Sequence, residues 1–174
     1  MSNSAAAKPV IRAATAADLR RIAEIYAHWV TTSAVTFELT PPDETAWRHR
    51  FDAVVAAGLP FLVAELDGAV AGYAHCSPWK PREAYRRTAE DSIYLAPEAI
   101  GRGAGGVLLD ALLDDCAAAG LREVLAVVVD TGNAASLELH GRRGFTEAGR
   151  LRRVGFKHGR WLDTVLLQRS LAPE

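Results

Sequence analysis

Gly101-Arg102-Gly103-Ala104-Gly105-Gly106 is the stretch on which the fold turns, because four of its six positions are glycine. Glycine reaches positive φ freely and lets a backbone approach a ligand closely, but it costs chain entropy that an ordinary turn has no need to spend. An extended run at about residues 88–95 precedes the loop. A helical pattern from about 104 to 119 follows it and stops at Gly120. Amides at a helix N-terminus point outward and carry partial positive charge, which suits a pyrophosphate.

The six residues satisfy G-x-G-x-x-G, and Asp130 ends the next strand, so a dinucleotide site is one reading. Two features oppose it. Five residues, Ala96–Ile100, separate strand from loop, where a dinucleotide site runs one directly into the other. Only 44 residues follow Asp130, too few for the remaining crossovers of that sheet. A nucleoside-triphosphate loop fails sooner, since no Gly-Lys-Ser/Thr is present. Coenzyme A survives the comparison.

Working outward, Val10–Ala13 reads as a short extended segment after a small, polar tail at residues 1–8. Thr15 offers a hydroxyl cap, and Leu19, Ile22, Ala23, Tyr26, Trp29 and Val30 recur at helical spacing. After Pro41-Pro42, residues 43–57 read as a second helix. Phe61–Leu66 and Ala69–Ser77 form two strands joined by Asp67-Gly68, a tight-hairpin dipeptide. Beyond the glycine loop and its helix, Leu125–Val129 is a fully apolar strand and Asn133–Arg143 a helix. Two closing strands, Phe145–Val154 and Trp161–Arg169, turn at His158-Gly159. The order is β-α-α-β-β-β-α-β-α-β-β, a mixed sheet carrying helices.

The 174 residues fit one domain, with 49% hydrophobic and 24% charged residues and a net charge of −1. That charge gives no strong field toward nucleic acid or an anionic membrane. Cys76 and Cys116 stand forty residues apart with no second ligand at metal spacing, which argues against a zinc site or disulfide framework. No signal-peptide run or membrane-spanning apolar stretch is visible, so a cytoplasmic protein without metal is expected.

Loop, helix and strand, then Asn133-Ala134-Ala135-Ser136, His140 and Gly144-Phe145, resemble the acetyl-coenzyme A half of the GNAT superfamily of N-acetyltransferases. Gly103 and Gly105 occupy that superfamily's loop glycines, while Ile100 stands where Arg or Gln is usual. A narrower resemblance spans nearly the whole chain. Thr36-Phe37, Pro78-Trp79-Lys80 with Arg82, Ala84-Tyr85, Thr88-Ala89-Glu90, and Gly155-Phe156-Lys157-His158-Gly159 with Trp161 and Asp163 are similar to the phosphinothricin (glufosinate) N-acetyltransferase family. The resemblance implies an acyl-CoA N-acyltransferase fold. This is an α/β single domain over 9–172, with a mixed, mostly antiparallel sheet and helices on both faces. It implies acetyl-coenzyme A as co-substrate, a small amino-acid-like amine as acceptor, and a homodimer.

Acetyl transfer needs a group that removes the ammonium proton, a donor at the thioester oxygen and a route for protonating the thiolate. The resemblance points to Glu90 as base, facing the thioester cleft with Ile93. Asp91 is the rival, but alternation along a strand keeps both from one cleft. Ile93, Tyr94 and Leu95 are implied to hold the pantetheine arm through their backbone. Gly101, Arg102, Gly103, Ala104, Gly105, Gly106 and Asn133 are implied to hold the rest of the cofactor, with Arg142 or Arg143 as further phosphate partners. His140 is either the acid for the thiolate or a histidine capping a neighbour. Phe37, Lys80, Arg82 and Tyr85 are implied to receive the acceptor. Two other readings remain: an acetyltransferase for a protein N-terminus, polyamine or antibiotic, and a non-catalytic coenzyme A sensor.

Overall fold

The computed structural model describes residues 8–171. The tail expected at residues 1–8 therefore lies outside the described residues, apart from Lys8. The strands are β1 (Val10–Ala13), β2 (Phe61–Leu66), β3 (Ala69–Pro78), β4 (Thr88–Leu95), β5 (Glu123–Val129), β6 (Thr146–Lys157) and β7 (Arg160–Ser170). The helices are α1 (Leu19–Thr32), α2 (Glu44–Ala56), α3 (Ala104–Ala118) and α4 (Ala135–Gly141). Among the described residues the strands join one sheet in the order β1-β2-β3-β4-β5-β7-β6, with only the β4–β5 pairing parallel.

Strand alternation assigns the two sheet faces to different helices. Tyr73, His75 and Ser77 of β3 lie opposite Tyr94, Ser92 and Glu90 of β4. This face meets α1 and α2, where Tyr26 packs edge-on against Tyr94 and Trp47 against Tyr73. Ala74, Cys76, Asp91 and Ile93 point the other way, toward α3 and α4. There Cys76 Sγ lies 3.1 Å from Cys116 Sγ, and both thiols are free and buried. The buried leucines Leu108, Leu109, Leu112 and Leu113 seat α3 on this face. Asp67 and Gly68 both take positive φ, as a two-residue hairpin with right-twisted strands demands.

Thr15 differs from expectation. Its hydroxyl does not cap a long helix but donates to Asp18 at 3.0 Å, at the start of the short 3₁₀ turn Ala16–Asp18. Asp18 also accepts the Thr15 amide at 2.7 Å and two Arg12 N–H groups at 2.8 Å. A carboxylate with this many donors resists protonation, and Arg12 is the main cause that lowers Asp18 to about 2. Because the folded value lies below the unfolded one, the stabilisation is present above the ordinary carboxylate range and disappears as pH falls toward 2. Asp18→Asn should therefore cost roughly 2 kcal/mol near neutrality. Urea titrations should show that gap from wild type closing between about pH 4 and pH 2.

Candidate active site

The parallel ladder between β4 and β5 holds only Thr88↔Glu123, Ala89↔Val124 and Glu90↔Leu125. Beyond Glu90 both strands continue, but β5 pairs onward with β7 while β4 has only β3. The two strands part, and the β5-facing edge of Asp91–Leu95 is left without ladder partners. Backbone groups inside a fold need partners, so this wedge is a place for a ligand with amide-like donors and acceptors.

The glycine loop crosses the wide end of that wedge. Pro97–Ala99 makes one 3₁₀ turn, Gly101 and Gly103 take positive φ, and Gly103 stands at the N-cap of α3 with no side chain to offer. The first-turn amides of α3 are thus open to an anion. Gly105 is buried, and a Cβ there would press on Leu95 and Leu139. Arg143 lies across Gly106, donating to its carbonyl at 3.0 Å and meeting Asp110 at 2.9 Å. It fastens α4 to α3. Arg102 is exposed and paired with Asp67 at 2.8 Å.

Glu90 and Asp91 diverge in role because they sit on opposite faces. Glu90 is partly buried beside Ser77, and its carboxyl is raised above the usual range by burial, then by the Asp91 charge, with Lys80 opposing. Asp91 instead accepts from His140 Nε2 at 2.9 Å, with both side chains almost fully buried. His140 Nδ1 lies 2.8 Å from the Ser136 carbonyl. A carbonyl can only accept, so Nδ1 carries a proton, and the carboxylate shares a second with Nε2. Burial opposes the charged ring, but the Asp91 hydrogen bond and charge outweigh it and raise His140.

The segment between α1 and α2 is pinned over this region by the β6–β7 hairpin. Lys157 is buried and donates to the Thr36 carbonyl at 2.8 Å, and Tyr26 Oη bonds Thr36 Oγ1 at 2.7 Å. The Phe37 ring rests directly on Gly155, where any Cβ would overlap it.

This arrangement has known counterparts. The acetyltransferase (GNAT) family matches residues 22–145. The chain belongs to this family. It is similar to a phosphinothricin N-acetyltransferase of Alcaligenes faecalis, with 53% identity over 154 residues covering 88% of this chain and 78% of the relative. It is also 41% identical, over 94% of this chain and 95% of the relative, to an L-methionine sulfoximine/L-methionine sulfone acetyltransferase of Pseudomonas paraeruginosa. Among solved structures, the phosphinothricin acetyltransferase of Sinorhizobium meliloti in complex with acetyl-CoA superposes with a TM-score of 0.90 at 45% identity. That match covers 93% of this chain and 88% of the other.

Within this GNAT chain the expected residues divide into groups. Ile93, Tyr94 and Leu95 lie on the free edge of β4, and Gly101 to Gly106 line the loop. Asn133 departs from expectation: it precedes α4, which starts at Ala135, and its Oδ1 accepts the Ala135 amide at 2.9 Å. The side-chain bond holds the backbone in a turn and shortens the helix. Arg143 is occupied structurally, and Arg142 sits at the exposed end of α4. Glu90 and Ile93 fall on opposite faces, because three residues along a strand reverse the side chain. Lys80 stacks its ammonium over Trp79, centroid distance 4.8 Å. Lys80 and Arg82 border a hollow of about 340 Å³ against Leu59 and Leu121, and Tyr85 is exposed on the turn Glu83–Tyr85.

Sequence reasoning missed Lys157 as a clamp, and Asp91 as the partner of His140. A buried lysine in a hairpin gives no periodic signal, whereas alternation already separated Asp91 from Glu90. Trp29 was also missed as a ligand-side tie: its Nε1 donates to the Leu95 carbonyl at 2.8 Å. Gly155→Ala should displace Phe37 and cost about 1–3 kcal/mol through overpacking. Denaturant melts of Gly155→Ala and of Gly155→Ala/Phe37→Ala check the cause, since removing the ring should recover much of the loss.

Proposed function

We propose that the protein transfers an acetyl group from acetyl-coenzyme A to the α-amine of a small amino-acid-like acceptor of the phosphinothricin or methionine sulfone type. Transfer is direct, with both substrates bound together. The observation that carries the reading is Glu90, a partly desolvated carboxylate at the point where β4 leaves β5. The named substrates of the relatives and the acetyl-CoA complex of the similar structure support the choice of donor and acceptor.

The wedge fits the donor: the unpaired edge of β4 suits the amides of a pantetheine arm, and the first turn of α3 suits a pyrophosphate. Acetyl-coenzyme A would supply an activated thioester there. Glu90 takes the ammonium proton, directly or through one water, and its raised affinity for protons makes it a stronger base than an exposed carboxylate. An amide on the free β4 edge donates to the carbonyl oxygen as charge builds. His140 has both nitrogens engaged, so we assign it a positioning role: locked to Asp91, it fixes α4 against β4. Lys80, whose charge acts on Glu90, and Arg82, two residues further along the 79–87 loop, supply positive charge for the acceptor's α-carboxylate.

A working enzyme in a reducing cytoplasm accords with the two free, buried thiols. A homodimer accords with the exposed apolar strip Leu151, Val154, Phe156 and Trp161 on the β6–β7 hairpin.

Release of free thiol from acetyl-coenzyme A, followed with methionine sulfone as acceptor, tests the reading. Glu90→Gln should lower kcat by about 10²–10⁴. The acid limb of the wild-type pH profile should lie above the ordinary carboxylate range, because the base works only when deprotonated. Higher pH should partly rescue the variant by supplying neutral amine. Wild-type kcat in Glu90→Gln at neutral pH would give the proton to another group.

A further inference from the structure

Of the 20 lysines and arginines in the chain, only Lys8, Lys80 and Lys157 carry a primary amine. The three stand in different environments. Lys157 is 3% exposed, and its ammonium is committed to the Thr36 carbonyl at 2.8 Å. Lys8 is exposed just before β1, at the far edge of the sheet, with β2 and β3 between that strand and β4. Lys80 is exposed as well, but it lies beside Glu90.

The ladder between β3 and β4 puts it there. Ser77 faces Glu90 across the pair, and the ladder runs one step further, the Trp79 amide donating to the Thr88 carbonyl at 3.2 Å. Alternation then sets Trp79 on the Glu90 face, on a cross-strand diagonal of roughly 7–8 Å. The Lys80 side chain folds over that ring, its Nζ 4.8 Å from the centroid, rather than against a carboxylate among the described residues. Its charge reaches Glu90, where it opposes the effect of burial. A primary amine free to lose its proton thus stands next to the carboxylate assigned to take protons from amines.

We propose a second activity: with acetyl-coenzyme A bound and no acceptor present, the protein acetylates its own Lys80. The inference rests on the acetyl-transfer reading above for its donor and its base. Glu90 takes a proton from the Lys80 ammonium, and the neutral Nζ attacks the thioester carbonyl. A C–N bond forms, the C–S bond breaks, and coenzyme A leaves as a thiolate that picks up a proton. Acetylation removes the lysine charge. The modified enzyme has one cation fewer for a carboxylate-bearing acceptor, and Glu90 loses the charge that opposed its raised proton affinity. An idle enzyme supplied with donor therefore turns itself down, and an acceptor in the site protects it.

Intact mass measurement and peptide mapping, after incubation with acetyl-coenzyme A alone, test this. Lys80 should gain one acetyl mass at least about tenfold faster than Lys8, because a held amine reacts as if highly concentrated while Lys8 reports the uncatalysed reaction. Glu90→Gln should slow the gain at Lys80 about 10²-fold and leave Lys8 unchanged. Methionine sulfone should protect Lys80. The acetylated protein, once isolated, should show a higher KM for methionine sulfone and an acid limb moved to higher pH, since its base then holds its proton more tightly. Equal rates at Lys80 and Lys8, or an unchanged rate at Lys80 in Glu90→Gln, would overturn the proposal. A wild type that acetylates Lys80 but no small amino acid would instead overturn the acceptor reading and leave this one standing.

Discussion

The parting of β4 from β5 after Glu90 is the constraint on which the rest of the structure depends. Three parallel register pairs hold the strands together, and then β5 commits its other edge to β7 while β4 continues alone against β3. A strand interior with an unsatisfied edge is costly unless something meets it. The surrounding elements keep the gap open rather than closing it. The loop from Ala96 to Gly103 spans its mouth, Arg143 ties α3 to α4 across it, and Trp29 secures the Leu95 carbonyl from the other side. The same gap sets the positions of the first-turn amides of α3 and of the carboxylate at its apex.

Adjacent carboxylates at that apex show how a strand separates chemistry from scaffolding. Glu90 faces α1 and α2, makes no ion pair among the described residues, and has its proton affinity raised by burial. Asp91 faces α4 and is used up by His140. Two charges one residue apart thus take opposite environments through the pleat alone. Removing Asp91 would leave His140 Nε2 buried without its partner, while Glu90 makes no ion pair among the described residues that its removal would break. The segment between α1 and α2 is held by the same economy: it lies close to the β6–β7 hairpin, and Gly155 with Lys157 permits and enforces that closeness.

Much of this was legible in the sequence, and the reason is local chemistry. Asp67-Gly68 specified a tight turn, the leucines of α3 specified a helix, and the glycines at 101, 103, 105 and 106 specified an open helix start. Element order followed from these, and order with glycine spacing led to coenzyme A. What stayed hidden depends on long-range contact. Asn133 reads as helical by its neighbours, yet its side chain caps from outside. His140 reads equally as an acid for the thiolate or as a histidine capping a neighbour until Asp91, 49 residues away, is brought against it. Lys157 is 121 residues from the carbonyl it grips.

Hydrogen exchange with and without acetyl-coenzyme A tests most directly the claim that the β4–β5 wedge is the donor's seat. A ligand that occupies backbone groups slows the exchange of those amides and of the segment it orders. Saturating acetyl-coenzyme A should slow exchange at residues 91–95 and 101–106, with β1 and the Asp67-Gly68 turn unaffected. Unchanged exchange at both segments, with new protection elsewhere in the chain, would contradict the account.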